Sequence, residues 1–555
     1  MNSDHEQSLA DDEEIVSAVI IQEPVAPPMT AVECESQSAD FQPDLIKDPP
    51  ATWREIGAMI LLVMLCDLTI YRGHGFAGYA LLFATAPLLL ALGAVRRALT
   101  IPFAVVVVML IVLVLKLLWC GSVLLVVFGF GLLAAVAMTL TGQCPYVLEL
   151  AMFVSQTIRS GWEAVLHYGR QCNRTSPAIS SLPLINVILP ATAFLIFSVI
   201  FVLANPDLFA SISDRIGAFV SGMRRWMANF SPLEVIFWLV TAWLSLGLLR
   251  PWSGTLQSNI LADRPAPQKP APAPLFAAFR NTLLTVIGLF AVYLVYEFAT
   301  LWFREFPQGF HYSGYAHEGA AWLTVALALA TATLSMVFRG SVLNDPRLQH
   351  LRQLAWIWSG LNLMLALSVY NRLFIYIEFN GLTRMRMIGL FGISLVACGF
   401  ILVIIKIARN DNTIWLVRRH LWALALAVYL FALTPVDTLV VQYNVGRILD
   451  GDEAPSVQMT VQTIGSEGVL GLQPLLSCRN DIIREGIQAM LANRFERAEE
   501  IAESRQREGW TTFQIADQRV LNGLRASQQQ WQQLEDHSSR EEAWQRFTDY
   551  AYQWY

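Results

Sequence analysis

The sequence is short of charge: 15% of its residues are Asp, Glu, Lys or Arg, against about 25% in soluble globular chains. With 55% hydrophobic residues and a mean hydropathy of +0.46, that scarcity excludes an ordinary water-soluble domain. Chemical signatures are also missing. The seven cysteines, at 34, 66, 120, 144, 172, 398 and 478, form no CxxC pair and no Cys/His cluster, so neither a zinc site nor a disulfide framework is expected. There is no P-loop, GxSxG, HExxH or glycine-rich dinucleotide fingerprint. No cofactor, no bound metal and no nucleic-acid partner are therefore expected, and a non-enzymatic role is favoured. Basic residues are nearly absent from the first fifty positions, which hold twelve acidic residues and one lysine, Lys47. A start that is acidic rather than basic and then apolar is not a cleavable signal peptide.

What is present is a series of apolar runs of about 20 residues, the length that crosses a hydrocarbon core about 30 Å thick. Lipid offers the backbone no hydrogen-bond partner, so each run must be helical. The expected fold is an all-α polytopic transmembrane bundle, with the lipid bilayer as its principal partner. Eleven spans are expected, near 56–72, 76–95, 101–118, 120–140, 184–204, 232–250, 279–301, 319–338, 355–377, 386–407 and 419–441.

Five regions are expected. Residues 1–50 are acidic and proline-rich and cannot bury enough apolar area to offset chain entropy, which predicts a disordered tail. Residues 51–252 form a first transmembrane part. It includes amphipathic helices near 146–168 and 208–230, whose apolar residues recur every three or four positions. Residues 253–275 contain RPAPQKPAPAP, a stiff proline-rich linker. Residues 276–441 form a second transmembrane part, and 442–555 a small helical domain outside the membrane. Within that domain, Thr511 or Thr512 is expected to cap a helix reaching about Leu534, and Ser539 with Glu542 to form a capping box. Trp510, Trp531, Trp544 and Trp554 are expected to dock the domain on the membrane part. Lys and Arg near span ends are twice as numerous on the N-terminal side. This predicts a cytoplasmic N-terminus and, after eleven spans, a C-terminus outside.

Charges inside spans are costly and mark a bundle interior or a water-filled cavity. The candidates are Asp67, Lys116, Glu297, Arg372, Glu378 and Asp437. The segment SVYNRLFIYIEFNGLTRMRM, from Ser368 to Met387, concentrates them. On a helix, Ser368, Arg372 and Tyr376 share one stripe and Tyr370, Phe374 and Glu378 another. Gly381 is expected to end that helix in a left-handed conformation, with Thr383 starting the next. Seven residues separate Asp437 from Asn444, which places them near one helix face. Arg372, Tyr376, Glu378, Asp437 and Asn444 thus form a candidate polar intramembrane centre, with Arg372 expected to pair with Asp437. Tyr315, His317 and Glu318, in FHYSGYAHEGAAW, are secondary candidates together with Asp67. Such a centre suits transport or the handling of a lipid or small molecule. The alternative is a membrane scaffold or signalling component acting through the acidic tail and the C-terminal domain.

Three segments taken in order resemble a known family. YSGYAHEGAAWL is similar to a segment of the type YAEYARRGFFEL, and SVYNRLFIYIEFNGLTRMRM to one of the type SALYRLLLYEEAYGLTRLR. VDTLVVQYNVGRIL followed by SEGVLGLQPLL is similar to an Asp–x6–Asn segment followed by Ser-Asp-Ala-x-Pro-x-Leu. The set resembles a bacterial multispanning inner-membrane family known as domain of unknown function 4173, related to 4153, over roughly residues 55–530. The resemblance carries over Tyr315, Ala316, Gly319, Arg372, Glu378, Gly381, Leu382, Thr383, Arg386, Asp437 and Asn444. His317 and Glu318 stand where the family pattern has arginines, and Gly468 and Gly471 replace small or proline positions. The resemblance implies membership and no activity.

Overall fold

The computed structural model describes residues 52–95, 97–175, 231–251, 272–302, 312–338, 342–343, 345–409, 411–531, 534 and 536–554, and no side chains at 167–175, 301, 312–318 and 320. The expected tail, the span at 184–204, the amphipathic segment at 208–230 and most of the linker lie outside the described residues. Among the described residues the chain is helical and holds no strand.

The longer helices are α1 (Trp53–Cys66), α2 (Phe76–Gly93), α3 (Ile101–Trp119), α4 (Val123–Leu140), α5 (Val147–Thr175), α6 (Pro232–Leu249), α7 (Phe276–Glu297) and α8 (Tyr312–Val337). They continue with α9 (Leu348–Asn380), α10 (Arg384–Arg409), α11 (Thr413–Leu433), α12 (Val436–Leu449), α13 (Asp481–Glu508), α14 (Ile515–Ser527) and α15 (His537–Ala551). Eight helical stretches among the described residues are long and apolar enough to cross a membrane: α2, α3, α4, α6, α7 with its extension to Thr300, α9, α10 and α11. Ala321–Val337 of α8 is a shorter apolar stretch. The lipid-facing sides carry large exposed apolar residues, such as Val108 and Leu115 on α3, while Leu113 and Leu117 of the same helix are fully buried. In water those exposed sides would be aggregation surfaces; in lipid they are the solvent-matched surface.

Local sequence explains the helix ends. Pro102 and Pro232 occupy first-turn positions where the missing N–H costs nothing. The Asn480 side chain accepts from the backbone N–H of Ile482 at 3.0 Å and opens α13. Both α1 and α7 widen into a π turn at their ends, Asp67–Tyr71 and Phe298–Trp302. Such turns are uncommon and often sit beside functional polar groups.

One expected span is corrected. The 419–441 range is not one helix: α11 stops at Leu433 and a new helix starts at Val436. Pro435 has no N–H to continue the α11 ladder and its ring clashes with the preceding turn. Asp437 therefore opens α12 instead of lying near the end of a continuous span.

α1–α6 pack around one apolar core that includes Phe83, Leu110, Val136 and Leu249, and Tyr429 of α11 joins it. α7–α10 pack around a second, including Leu283, Phe338, Trp358 and Phe400. A third core is built by α12–α15 with Val441, Leu472, Ile487, Leu524 and Phe547. This last group forms a cap on one face of the bundle. His74 donates its N–H to the Thr511 hydroxyl at 3.1 Å, and the Gln514 amide donates to the Leu117 carbonyl at 3.1 Å. Lys116 pairs with Glu467, and the Gln458 amide donates to the Asn380 carbonyl at 3.0 Å. The opposite face is held by ion pairs of its own, Glu55 with Arg250 and Glu149 with Arg418.

Several expectations for the cap are revised. The helix expected from Thr511 or Thr512 begins at Ile515 and ends at Ser527, because the Thr511 hydroxyl accepts from His74 ahead of α2, the Thr512 hydroxyl donates to the Gly509 carbonyl, and the helix starts after Gln514. α15 is preceded by Asp536, to which the Ser538 hydroxyl donates, instead of a Ser539 capping box. Of the four tryptophans, Trp510 reaches the membrane helices, whereas Trp531 and Trp544 pack in the core of the cap and Trp554 is exposed.

Candidate functional site

The residues expected to form one polar centre separate into two. The first lies between α7 and α9. Glu297 receives the Arg372 guanidinium in a fork, from Nε at 2.7 Å and Nη2 at 2.6 Å. The Ser368 hydroxyl donates to the same carboxylate at 2.6 Å and the Tyr293 hydroxyl at 2.9 Å. Ser368 and Arg372 share a stripe of α9, as helical spacing requires. Both charges are buried, Arg372 at 4% and Glu297 at 1% exposure. Gly319 of α8 lies against the guanidinium, where a methyl group would collide with it. A buried pair with this many hydrogen bonds offsets its desolvation, but it presents no free group to a ligand.

The second group clamps the loop between α9 and α10. Arg384 forks onto Asp437, whose Oδ2 also accepts from the Gly465 N–H at 2.8 Å. Asn444 accepts from the Leu382 N–H at 2.7 Å and donates to the Leu382 carbonyl at 2.8 Å, so one side chain satisfies both backbone groups of the loop. Gly381 ends α9 with φ +83° and ψ −179°. That is a glycine conformation, but extended in ψ instead of the left-handed helical turn expected. Tyr376 leaves the Arg372 stripe to lie under the Arg386 guanidinium, 3.8 Å from ring centroid to Cζ. Glu378 is exposed.

The pairing expected between Arg372 and Asp437 is thus replaced by Arg372–Glu297 and Arg384–Asp437. The expectation placed Asp437 at the depth of Arg372 in a continuous helix, and the break at Pro435 removes that premise. Asp67 sits in a third cluster, accepting from the Trp238 indole at 2.8 Å and lying 3.0 Å from Arg72, which also donates to Glu234 at 2.6 Å. Tyr315, His317 and Glu318 fall in the first turns of α8, and their side chains lie outside the described residues.

Four cavities stand out among the described residues, and Arg372, Tyr376 and Glu378 line none of these four. Asp437 and Asn444 border a space of about 10 Å³, room for about one water. The roomy cavities lie at the cap. One, of about 470 Å³, opens between α2 and α3 because Ala77, Ala80 and Ala84 end at Cβ; Leu81, Val114 and Leu118 complete its apolar walls. Trp510 and Phe513, from the turn between α13 and α14, close its cap side. The same two aromatic residues border a second cavity, of about 480 Å³, between α13 and α14. Arg494, Arg497, Arg505, Asp517 and Gln518 line it. These two cavities are the roomiest of the four bordered by described residues and stand as the candidate ligand site. The apolar half was hidden because alanines in a span read as ordinary packing. The polar half was hidden because Arg494, Arg497 and Arg505 alternate with Glu496, Glu499 and Glu503 and read as a solvated helix.

The bundle, its apolar exterior and its polar cap define a multi-pass helical membrane protein. The chain belongs to the family described as a domain of unknown function, DUF4153, whose sequence model matches residues 59–473. The match stops short of α13–α15, so the arginines of the cap lie outside it. No curated protein and no solved structure matches the chain.

Proposed function

We propose that the protein binds a lipid-like amphiphile at the seam between its cap and the α2–α3 groove, as an inner-membrane protein of a bacterial cell. The observation that carries this reading is the apolar cavity closed by Trp510 and Phe513, which share their position with a polar cavity on the far side. An apolar recess inside the membrane next to a polar recess outside it matches a molecule with an acyl chain and a headgroup. The proposed orientation puts the N-terminus in the cytoplasm and the cap outside, as the distribution of basic residues favours. A cysteine introduced at Gln528 is then reached by an impermeant thiol reagent in intact cells; protection until the membrane is opened reverses the orientation.

The amphiphile reading is tested with a lipid carrying a photoreactive group at the end of its acyl chain. Labelling of Leu81, inside the groove, is expected to saturate and to be competed by unlabelled lipid. Labelling of Leu239, on the open face of α6, is expected to rise linearly. Equal, unsaturable labelling at both positions would reduce the groove to ordinary annular lipid and sink the reading. A second reading, a membrane scaffold, draws support from the clamp on the α9–α10 loop and from the dry Arg372–Glu297 pair. It predicts that Ala84→Trp, which fills the groove, leaves cellular function intact.

A further inference from the structure

The cavity between α13 and α14 has an uncompensated positive charge. Arg494, Arg497 and Arg505 are spaced at i, i+3 and i+11 and so point from one face of α13. Arg505 pairs with Asp517, and Asp517 also accepts from the Ser466 hydroxyl, so the carboxylate of the cavity is already committed. Arg494 and Arg497 have no carboxylate partner among the described residues. Arg494 is half-buried, and burial together with the neighbouring Arg497 pushes its pKa below the ordinary arginine value. Arg497 lines the same cavity but is exposed, so water screens the repulsion between the two guanidinium groups in part, and an anion between them would relieve the rest. Guanidinium forks match the oxygen geometry of phosphate and carboxylate, and charge-assisted bonds of this kind are the strong ones.

We infer that the α13–α14 cavity is an anion site, holding the phosphate-type headgroup of an amphiphile through Arg494 and Arg497 while its acyl part occupies the α2–α3 groove. This rests on the amphiphile reading above. It adds the ligand's charge, and the residues that select it lie outside the family match. Trp510 and Phe513 are the boundary between the two halves, where the glycerol-like junction of such a molecule would lie. Indole and phenyl rings favour that depth in a bilayer.

The test uses the full-length protein in micelles with phosphatidylglycerol or phosphatidylcholine of the same chain length, with retained lipid counted by native mass spectrometry. Wild type is expected to retain the anionic lipid about tenfold better than the zwitterionic one, the size of one charge-assisted hydrogen bond at the weak end of its range. Arg494→Gln with Arg497→Gln is expected to lower retention of phosphatidylglycerol to that of phosphatidylcholine and leave the latter unchanged, and Arg494→Lys with Arg497→Lys to keep most of the preference. Ala84→Trp, at the exposed alanine of the groove, is expected to lower retention of both lipids equally. A double-Gln variant that keeps the preference overturns the anion site while the amphiphile reading stands. Ala84→Trp with undiminished retention overturns the amphiphile reading itself. Inorganic phosphate that stabilises wild type and not the double-Gln variant, with no effect of either lipid, assigns the site to a free anion and overturns the headgroup assignment. A measurement on wild type needs no substitution: phosphatidylglycerol should shield Arg494 and Arg497 from phenylglyoxal more than phosphatidylcholine does, and equal labelling counts against the inference.

Discussion

The molecule holds its arginines in two different ways. Arg372, inside the membrane, is fully engaged: one carboxylate forks onto it, two hydroxyls complete that carboxylate, and Gly319 closes over it. Arg494 and Arg497, in the cap, face a cavity of about 480 Å³ with no carboxylate partner among the described residues. The contrast follows from the surroundings. In hydrocarbon an unpaired charge is costly, so the bundle tolerates Arg372 only as half of a complete pair. Outside the membrane water screens the charge, so the cap can keep two guanidinium groups in reserve. Intramembrane charge is thus closed into a pair here, and the charge without a carboxylate partner lies in the cap.

The sharpest way to break this comparison is to unpair the buried arginine. Arg372→Ala leaves Glu297 charged and buried, and should cost about 3–5 kcal/mol of stability and most of the folded yield. The double variant Arg372→Ala/Glu297→Ala should be less harmful than the sum, with a coupling of about 0.5–3 kcal/mol in unfolding from mixed micelles. Strict additivity would mean that the pair holds nothing together. The loop clamp comes next. Asn444→Ala strands the N–H and carbonyl of Leu382 and should cost about 1–3 kcal/mol. Gly381→Ala imposes a side chain on φ +83° and should cost about 1–3 kcal/mol. A thermal shift assay in detergent reads both, and unchanged melting in either would show that the cap does not hold this loop.

A smaller effect is expected at Asp345, between α8 and α9. The Arg347 side chain and then the Ala273 N–H hold its carboxyl well below the usual range. A depressed folded-state pKa gives stability that is present above the unfolded value of about 4 and is lost as pH falls toward the folded one. Asp345→Asn should therefore lower the melting temperature more at pH 6 than at pH 3. An equal loss at both would remove the electrostatic part of this contact. The smallest effect belongs to the cap. Arg494→Gln with Arg497→Gln removes no intramolecular pair and should leave melting within a degree or two, since ordinary surface changes stay within about 0.5 kcal/mol. A large loss would place these arginines with Arg372 and erase the comparison.

How far the sequence reached depended on the range of the physics involved. Apolar runs of membrane length and the glycine that ends α9 are local, and from these the bundle and the break at Gly381 were legible, while family membership was legible from the resemblance of three segments. Glu297 was visible as a charge inside a span, but nothing local said that it faces Arg372, 75 residues away. A polar residue's partner is set by which helices touch. The error at Asp437 was nearer to hand: Pro435 carried the signal that a helix ends there, and a continuous apolar pattern outweighed it. The Ala-lined groove and the α13–α14 cavity exist only because the Trp510–Phe513 turn folds back against α2 and α3, some 400 positions earlier in the chain. Composition and periodicity determined that this chain spans a membrane many times, because hydrocarbon rejects polar backbone whatever the topology. Only the tertiary structure decided which charges are neutralised and which are left open, because pairing and cavity depend on distances between helices that no local pattern encodes.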